Sequence, residues 1–293
     1  MPEFYTQICI MIINSSISAH PCLNDFIARY TLSYAEVDNI DMTFPMFANY
    51  ESCLYFYLGD LPQHINNSIT KNEKITPNRI SLFGLFTHSN GYVKLQGKCR
   101  GFIIEFKPNG FNMLFGIAAN EICNHNFPAN EVLGKSVEYF YEQLLDTVSF
   151  RDMALLADKF LSSFLKRKKI IYINEGISKI SFLLLTTFDT ISITKYASLA
   201  NMSMRNFDRR FTEQVGTSPK LFCRLLRFNK ALQYKIAHSE KRWTDIAYEC
   251  GYFDQMHLIK EFKAFTNESP SASFNGYPDL LKESFNTIER IDQ

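Results

Sequence analysis

The most reactive side chains in the sequence are its seven cysteines, at positions 9, 22, 53, 99, 123, 223 and 250. They are odd in number, scattered and never spaced as C-x-x-C. That argues against a disulfide scaffold or a zinc ribbon and for reduced thiols in a cytoplasm. Two of them stand before a cation, Cys99-Arg100 and Cys223-Arg224. A neighbouring cation lowers a thiol pKa and would suit a redox or alkylation sensor; the competing reading is a buried cysteine used as a small hydrophobe. No G-x-S-x-G, H-E-x-x-H, phosphate-binding loop or dinucleotide fingerprint occurs, nor an H-x-H with a following Glu and His. The sequence therefore offers no catalytic residue, no metal-ligand set and no cofactor-binding residue.

What remains are side chains that can hydrogen-bond outward from a helix. Arg205, Asp208, Arg209 and Glu213 recur at three- and four-residue steps, opposite Phe207, Phe211 and Val215. Gln255, Met256, His257, Ile259 and Lys260 lie likewise beside an inward face of Leu258, Phe262 and Phe265. Each set belongs to one copy of a repeated pattern. In residues 192–219, Ile193, Tyr196, Ala197 and Ala200 face one side of a short helix. Asn201-Met202 interrupts it, Ser203 is a good N-cap for a second helix, Gly216 stops that helix, and Ser218-Pro219 starts another. In residues 244–270, Ile246, Ala247 and Cys250 face inward, Gly251 makes the turn, Asp254 caps the second helix, and Ser269-Pro270 closes the unit. Ala197 and Ala247 are 50 residues apart; Ser203 and Asp254 are 51 apart. A short helix, a tight turn and a second helix with a polar outer face form a helix-turn-helix. Residues 219–238 read as the helix between the copies, with Phe222, Leu225, Leu226, Leu232 and Ile236 inward. About 20 residues of helix span roughly 30 Å, close to the ~34 Å of one DNA turn. Such a rod could hold two recognition helices over successive major grooves.

The rest of the chain must carry these units. Its 293 residues, 46% hydrophobic, suffice for about two domains, and no apolar run reaches a membrane span. The run at 8–13 lacks a basic lead-in and a cleavage site, so a signal peptide is not expected. The near-zero net charge hides an asymmetry: residues 174–275 hold 14 Lys/Arg against 10 Asp/Glu. Residues 54–58, 80–86, 92–96 and 101–106 read as strands, closed by Gly59-Asp60, Asn90-Gly91 and Pro108-Asn109-Gly110 turns. They predict an antiparallel sheet or small barrel. After Pro128 the period changes: Val137, Phe140, Tyr141, Leu144 and Leu145, then Met153 through Leu165, predict two amphipathic helices ending in Lys166-Arg167-Lys168-Lys169. That basic run suits a helix C-terminus better than a phosphate contact. Residues 170–176 read as a linker.

The stretches 196–211, 216–219 and 226–231, and more closely 246–258, 262–263 and 269–270, resemble the AraC/XylS family of bacterial transcription regulators. Departures are mild: Tyr196 and Phe207 stand where the family usually has Leu, Leu258 where it often has Phe, and Asn267 where it usually has Gly. The resemblance covers about a third of the chain. It implies a two-domain α+β protein. Residues 1–170 would form a β-rich, cupin-like sensor or dimerisation domain with a helical hairpin. Residues 171–275 would form a seven-helix all-α DNA-binding domain with two helix-turn-helix units, and residues 276–293 a tail. It further implies a cytoplasmic regulator, most often an activator, that is not an enzyme. Its partners would be double-stranded DNA, RNA polymerase, a small-molecule effector in the N-terminal domain and a second copy in a homodimer. A thiol sensor or a ligand-free dimerisation domain on the same module stay open as alternatives.

Carried over residue by residue, the family's DNA contacts fall on Arg205, Asp208 and Arg209 in the first unit, and on Gln255, Met256, His257, Ile259 and Lys260 in the second. Arg205 and Arg209 can bond guanine O6 and N7, Gln255 adenine, and Asp208 cytosine N4. Met256 and Ile259 can touch thymine methyls, and Lys260 can hold phosphate. Bland alternatives stand beside these. Arg209 could pair with Glu213 at i+4, Asp208 would be repelled by phosphates, His257 and Ile259 could be packing residues, and Trp243 reads as core.

Overall fold

A computed structural model describes residues 10–68, 71–167, 175–187 and 192–275. Among the described residues the N-terminal part is one antiparallel sheet of eight strands: β1 (Ile10–Ile17), β2 (Ile27–Pro45), β3 (Cys53–Tyr57), β4 (Gln63–Ser68), β5 (Lys71–Ile75), β6 (Ile80–Phe83), β7 (Tyr92–Phe106) and β8 (Asn126–Pro128). The order is β1-β2-β7-β3-β6-β8, with the β4–β5 hairpin attached to the start of β7. The expected strands 92–96 and 101–106 are thus the two halves of β7. Gly97 between them keeps φ at 70° where the β2 register slips between Val37 and Met42.

Alternation along β3 and β7 assigns the two faces. Leu54, Phe56, Phe102, Ile104 and Phe106 point to a core closed by helices α1 (Gly110–Phe115), α4 (Ser136–Leu145) and α5 (Phe150–Arg167) through Phe111, Leu114, Phe140, Leu144, Met153 and Leu161. Short helices α2 (Ala119–Ile122) and α3 (Ala129–Leu133) lie between. The helical pair α4 and α5 matches the amphipathic stretches read from the sequence. Lys168 and Lys169 of the basic run, and residues 170–174 of the expected linker, lie outside the described residues. The opposite face of the sheet, with Cys53, Tyr55 and Tyr57, borders a cavity of about 310 Å³ shared with His64, Phe83, Val93 and the 46–51 loop.

Among the described residues seven helices follow: α6 (Glu175–Thr187), α7 (Ile193–Leu199), α8 (Met204–Val215), α9 (Pro219–Ala237), α10 (Trp243–Glu249), α11 (Gln255–Thr266) and α12 (Pro270–Asn275). The molecule is therefore an antiparallel β domain with a helical hairpin, followed by an all-α domain. The two meet in one apolar cluster. Ala48 and Leu85, with Phe47, Tyr50 and Cys123 at its edge, pack against Leu225, Phe228, Leu232, Phe262 and Phe265. Asn229 Nδ2 also donates to the Ala48 carbonyl at 3.4 Å.

Candidate nucleic-acid interface

Caps set where each recognition helix begins. Ser203 Oγ accepts from Asn206 N at 3.4 Å, and Asp254 Oδ1 accepts from His257 N at 2.7 Å. Each satisfies a backbone donor that the first helical turn leaves open. Left-handed residues set where each ends, Gly216 at φ 105° and Asn267 at φ 65°. Asn267 fills the glycine position because its short polar side chain tolerates that region.

Packing then fixes which face looks out. Phe207, Phe211 and Val215 of α8 are buried with Tyr196 and Ala197 of α7 against Phe222, Cys223 and Leu226 of α9. Leu258, Phe262 and Phe265 of α11 are buried with Ile246 and Ala247 of α10 against Leu225, Phe228 and Leu232 of the same helix. One 19-residue helix thus seats both units. An ion pair locks the second one: Arg224 Nε lies 2.9 Å from Glu261 Oε1, whose side chain is 9% exposed. The Arg224 guanidinium also stacks on Phe265 at 5.2 Å. Trp243 packs edge-on to Phe262, with ring centroids 5.0 Å apart, in the core role expected of it.

On the outer face of α8, Arg205, Asp208 and Arg209 are exposed. Arg209 is engaged within its own helix. Its Nη1 is 3.5 Å from Glu213 Oε2 and its Nη2 donates to Asn206 Oδ1 at 3.2 Å. This is the i+4 pair weighed from the sequence. With both side chains at least half exposed it is worth about 0–1 kcal/mol, little enough for a phosphate or base to displace. On α11, Gln255, Met256 and Lys260 are exposed and Ile259 is half-buried. His257 is half-buried, with its ring edge-on to Tyr252 at 5.3 Å. Tyr252 in turn carries the Arg227 guanidinium over its face at 5.0 Å.

The turn before α11 holds an aromatic residue that the contact set did not include: Phe253, 93% exposed. The signal for it was present in the sequence, in the step from a spacing of 50 to one of 51 between the two units.

The thiol alternative finds no support at Cys99 or Cys223, the two cysteines that stand before a cation. Burial pushes the Cys99 thiol up, away from the reactive range. The Arg100 guanidinium that should have lowered it donates instead to the Val148 carbonyl at 3.3 Å. Cys223 is buried in α9.

Residues 196–275 match a family model described as a helix-turn-helix domain. The HTH-type transcriptional activator RhaS of Escherichia coli, in strains E24377A and HS, is 34% identical over 94 residues, which are 32% of this chain and 34% of RhaS. The chain thus aligns with about a third of the length of these relatives. Among solved structures, apo ToxT K231A from Vibrio cholerae aligns over 85% of this chain and 98% of its own at 15% identity, with a TM-score of 0.47. With its paired units seated on α9, the C-terminal domain is a helix-turn-helix domain of the kind that the family model describes.

Proposed function

We propose that the chain is a sequence-specific DNA-binding transcription regulator, an activator that works with RNA polymerase in the cytoplasm and reads two successive major-groove segments. One observation carries this reading. Both recognition helices sit on the same helix, α9, and both turn polar, solvent-exposed faces away from it. At 1.5 Å per residue α9 is about 29 Å long, near the length of one duplex turn. In this reading Arg205, Asp208 and Arg209 face bases in one segment. Gln255, Met256, His257 and Ile259 do so in the next, and Lys260 holds phosphate. Replacing Arg209 by Ala should weaken binding to the specific site by about 1–3 kcal/mol. Replacing Lys260 by Ala should weaken all sequences alike and lower the slope of affinity against salt by about one. Fluorescence anisotropy on specific and scrambled duplexes checks both, and an Arg209 variant with undiminished affinity contradicts the assignment.

The N-terminal domain is read as the sensor of a small-molecule effector, with a homodimer as its assembly. The cavity beside β3 supports the effector. Its walls include the stacked Tyr55 and Tyr57 rings, 4.2 Å apart, and it reaches Phe47 and Asn49. Those two residues flank Ala48, which packs on α9. A ligand there would press on the loop that touches the DNA-binding domain. A ligand at 100 times its Kd should stabilise the protein by about 2.7 kcal/mol. A screen of small molecules by thermal unfolding reads that shift. No stabilisation by any compound, with DNA binding intact, favours the ligand-free dimerisation domain.

A further inference from the structure

The two helix-turn-helix units repeat bond for bond at a spacing of 50 as far as the turn. Ala200 N donates to Tyr196 O at 3.0 Å and Cys250 N to Ile246 O at 2.9 Å. Asn201 N donates to Ser198 O at 2.9 Å and Gly251 N to Tyr248 O at 3.1 Å. Met202 N to Ala197 O and Tyr252 N to Ala247 O are both 2.9 Å. The N-caps that follow, Ser203 and Asp254, are 51 apart. The second turn therefore holds one residue that the first lacks, and that residue is Phe253.

Its ring is 93% exposed, more than any other large hydrophobic side chain among the described residues, and none of them stacks on it. It stands directly before the N-cap of α11, at the end of a recognition helix that meets base edges. Gln255 and Met256, the latter 59% exposed, are its neighbours on that end. Asp254, between Phe253 and these two, has its Oδ1 accepting from the His257 amide at 2.7 Å. An apolar ring held in water beside polar reading groups gains by burial against an apolar partner. The apolar group that B-DNA offers in its major groove is the C5-methyl of thymine.

We infer that Phe253 is a further specificity-determining residue, which selects thymine in the second major-groove segment by packing on its methyl group. The inference rests on the DNA-binding reading above, and its test separates the two. Wild-type protein first selects its site from random duplexes. That site is then made with each thymine of the α11 segment replaced in turn by deoxyuridine, which lacks only the methyl. At one such position wild-type affinity should fall about fourfold, the worth of one buried methyl. The F253S variant should bind the thymine site about fourfold more weakly than wild type and treat thymine and uracil there alike; F253L should keep the distinction. An F253S protein that still distinguishes the two bases as wild type does overturns the inference, as does a selected site without thymine in that segment. F253S with unchanged DNA affinity but lost transcriptional activation would assign the ring to a protein partner instead. Wild-type protein that enriches no sequence at all would sink the DNA-binding reading itself. Because the ring is exposed, F253S and wild type should unfold at the same temperature, which sets folding aside as a cause.

Discussion

Glu51 and Glu105 share one guanidinium. Arg29 Nη2 lies 3.3 Å from Glu51 Oε2 and donates to Glu105 Oε1 at 3.0 Å, while Thr31 Oγ1 donates to Glu105 Oε2 at 2.9 Å. Burial, and then the Glu51 charge, lift the Glu105 carboxyl to about 7 against these favourable contacts. A carboxyl whose pKa is raised on folding holds its proton more tightly in the native state. Its contribution to stability is therefore full below the ordinary carboxylate pKa of 4.5 and is lost as pH rises towards 7. Glu105→Gln should remove that loss, flattening the fall in melting temperature between pH 5 and pH 8. An unchanged pH profile contradicts the assignment. This cluster was not legible in the sequence. Its members come from β2, the loop after it and β7, and only long-range pairing brings them together. Phe253 is the opposite case, since its position in the repeat could be counted from the spacing alone.

Element by element, legibility followed locality. The helix-turn-helix boundaries were readable because caps, turn residues and helix-period faces lie within a few residues of one another. Ser203, Gly216, Asp254 and Asn267 all sit at the ends expected of them. Strands β1 and β2 were missed because no tight turn marks their partners. Ile27 pairs with Phe106 and Thr31 with Ile103, more than seventy positions away. The break assumed between residues 96 and 101 was Gly97, which bends β7 without ending it. Cap chemistry gives a prediction at this scale. Asn267→Val should destabilise the protein by about 1–2 kcal/mol, because a β-branched residue resists φ near 65°. Asn267→Gly should be neutral or slightly stabilising. Thermal unfolding checks the pair, and equal effects of the two changes contradict the left-handed cap.

At the scale of the whole molecule, α9 is the common member of three contacts: the first unit, the second unit and the N-terminal domain. The Gly216 turn that ends α8 itself abuts Leu85, where an added Cβ would stand 3.0 Å from the leucine side chain. Tyr50 lies edge-on to Phe222 of α9 at 6.1 Å. None of this was visible beforehand: residues 47–50 and 123 look like ordinary loop positions, and Leu85 reads as part of a strand at 80–86 that in fact ends at Phe83. Leu85→Asp would bury an unpaired charge at this contact. It should speed amide exchange in residues 46–50 and along α9 while the sheet core stays protected; unchanged exchange contradicts a shared interface.

Selection of bound sites from random DNA by the full chain tests most directly whether α8 and α11 read DNA as two probes one duplex turn apart. The prediction is one enriched site with two conserved segments whose centres are about 10–10.5 base pairs apart, on one face of the duplex. A single conserved segment, or no enrichment over scrambled DNA, would contradict it.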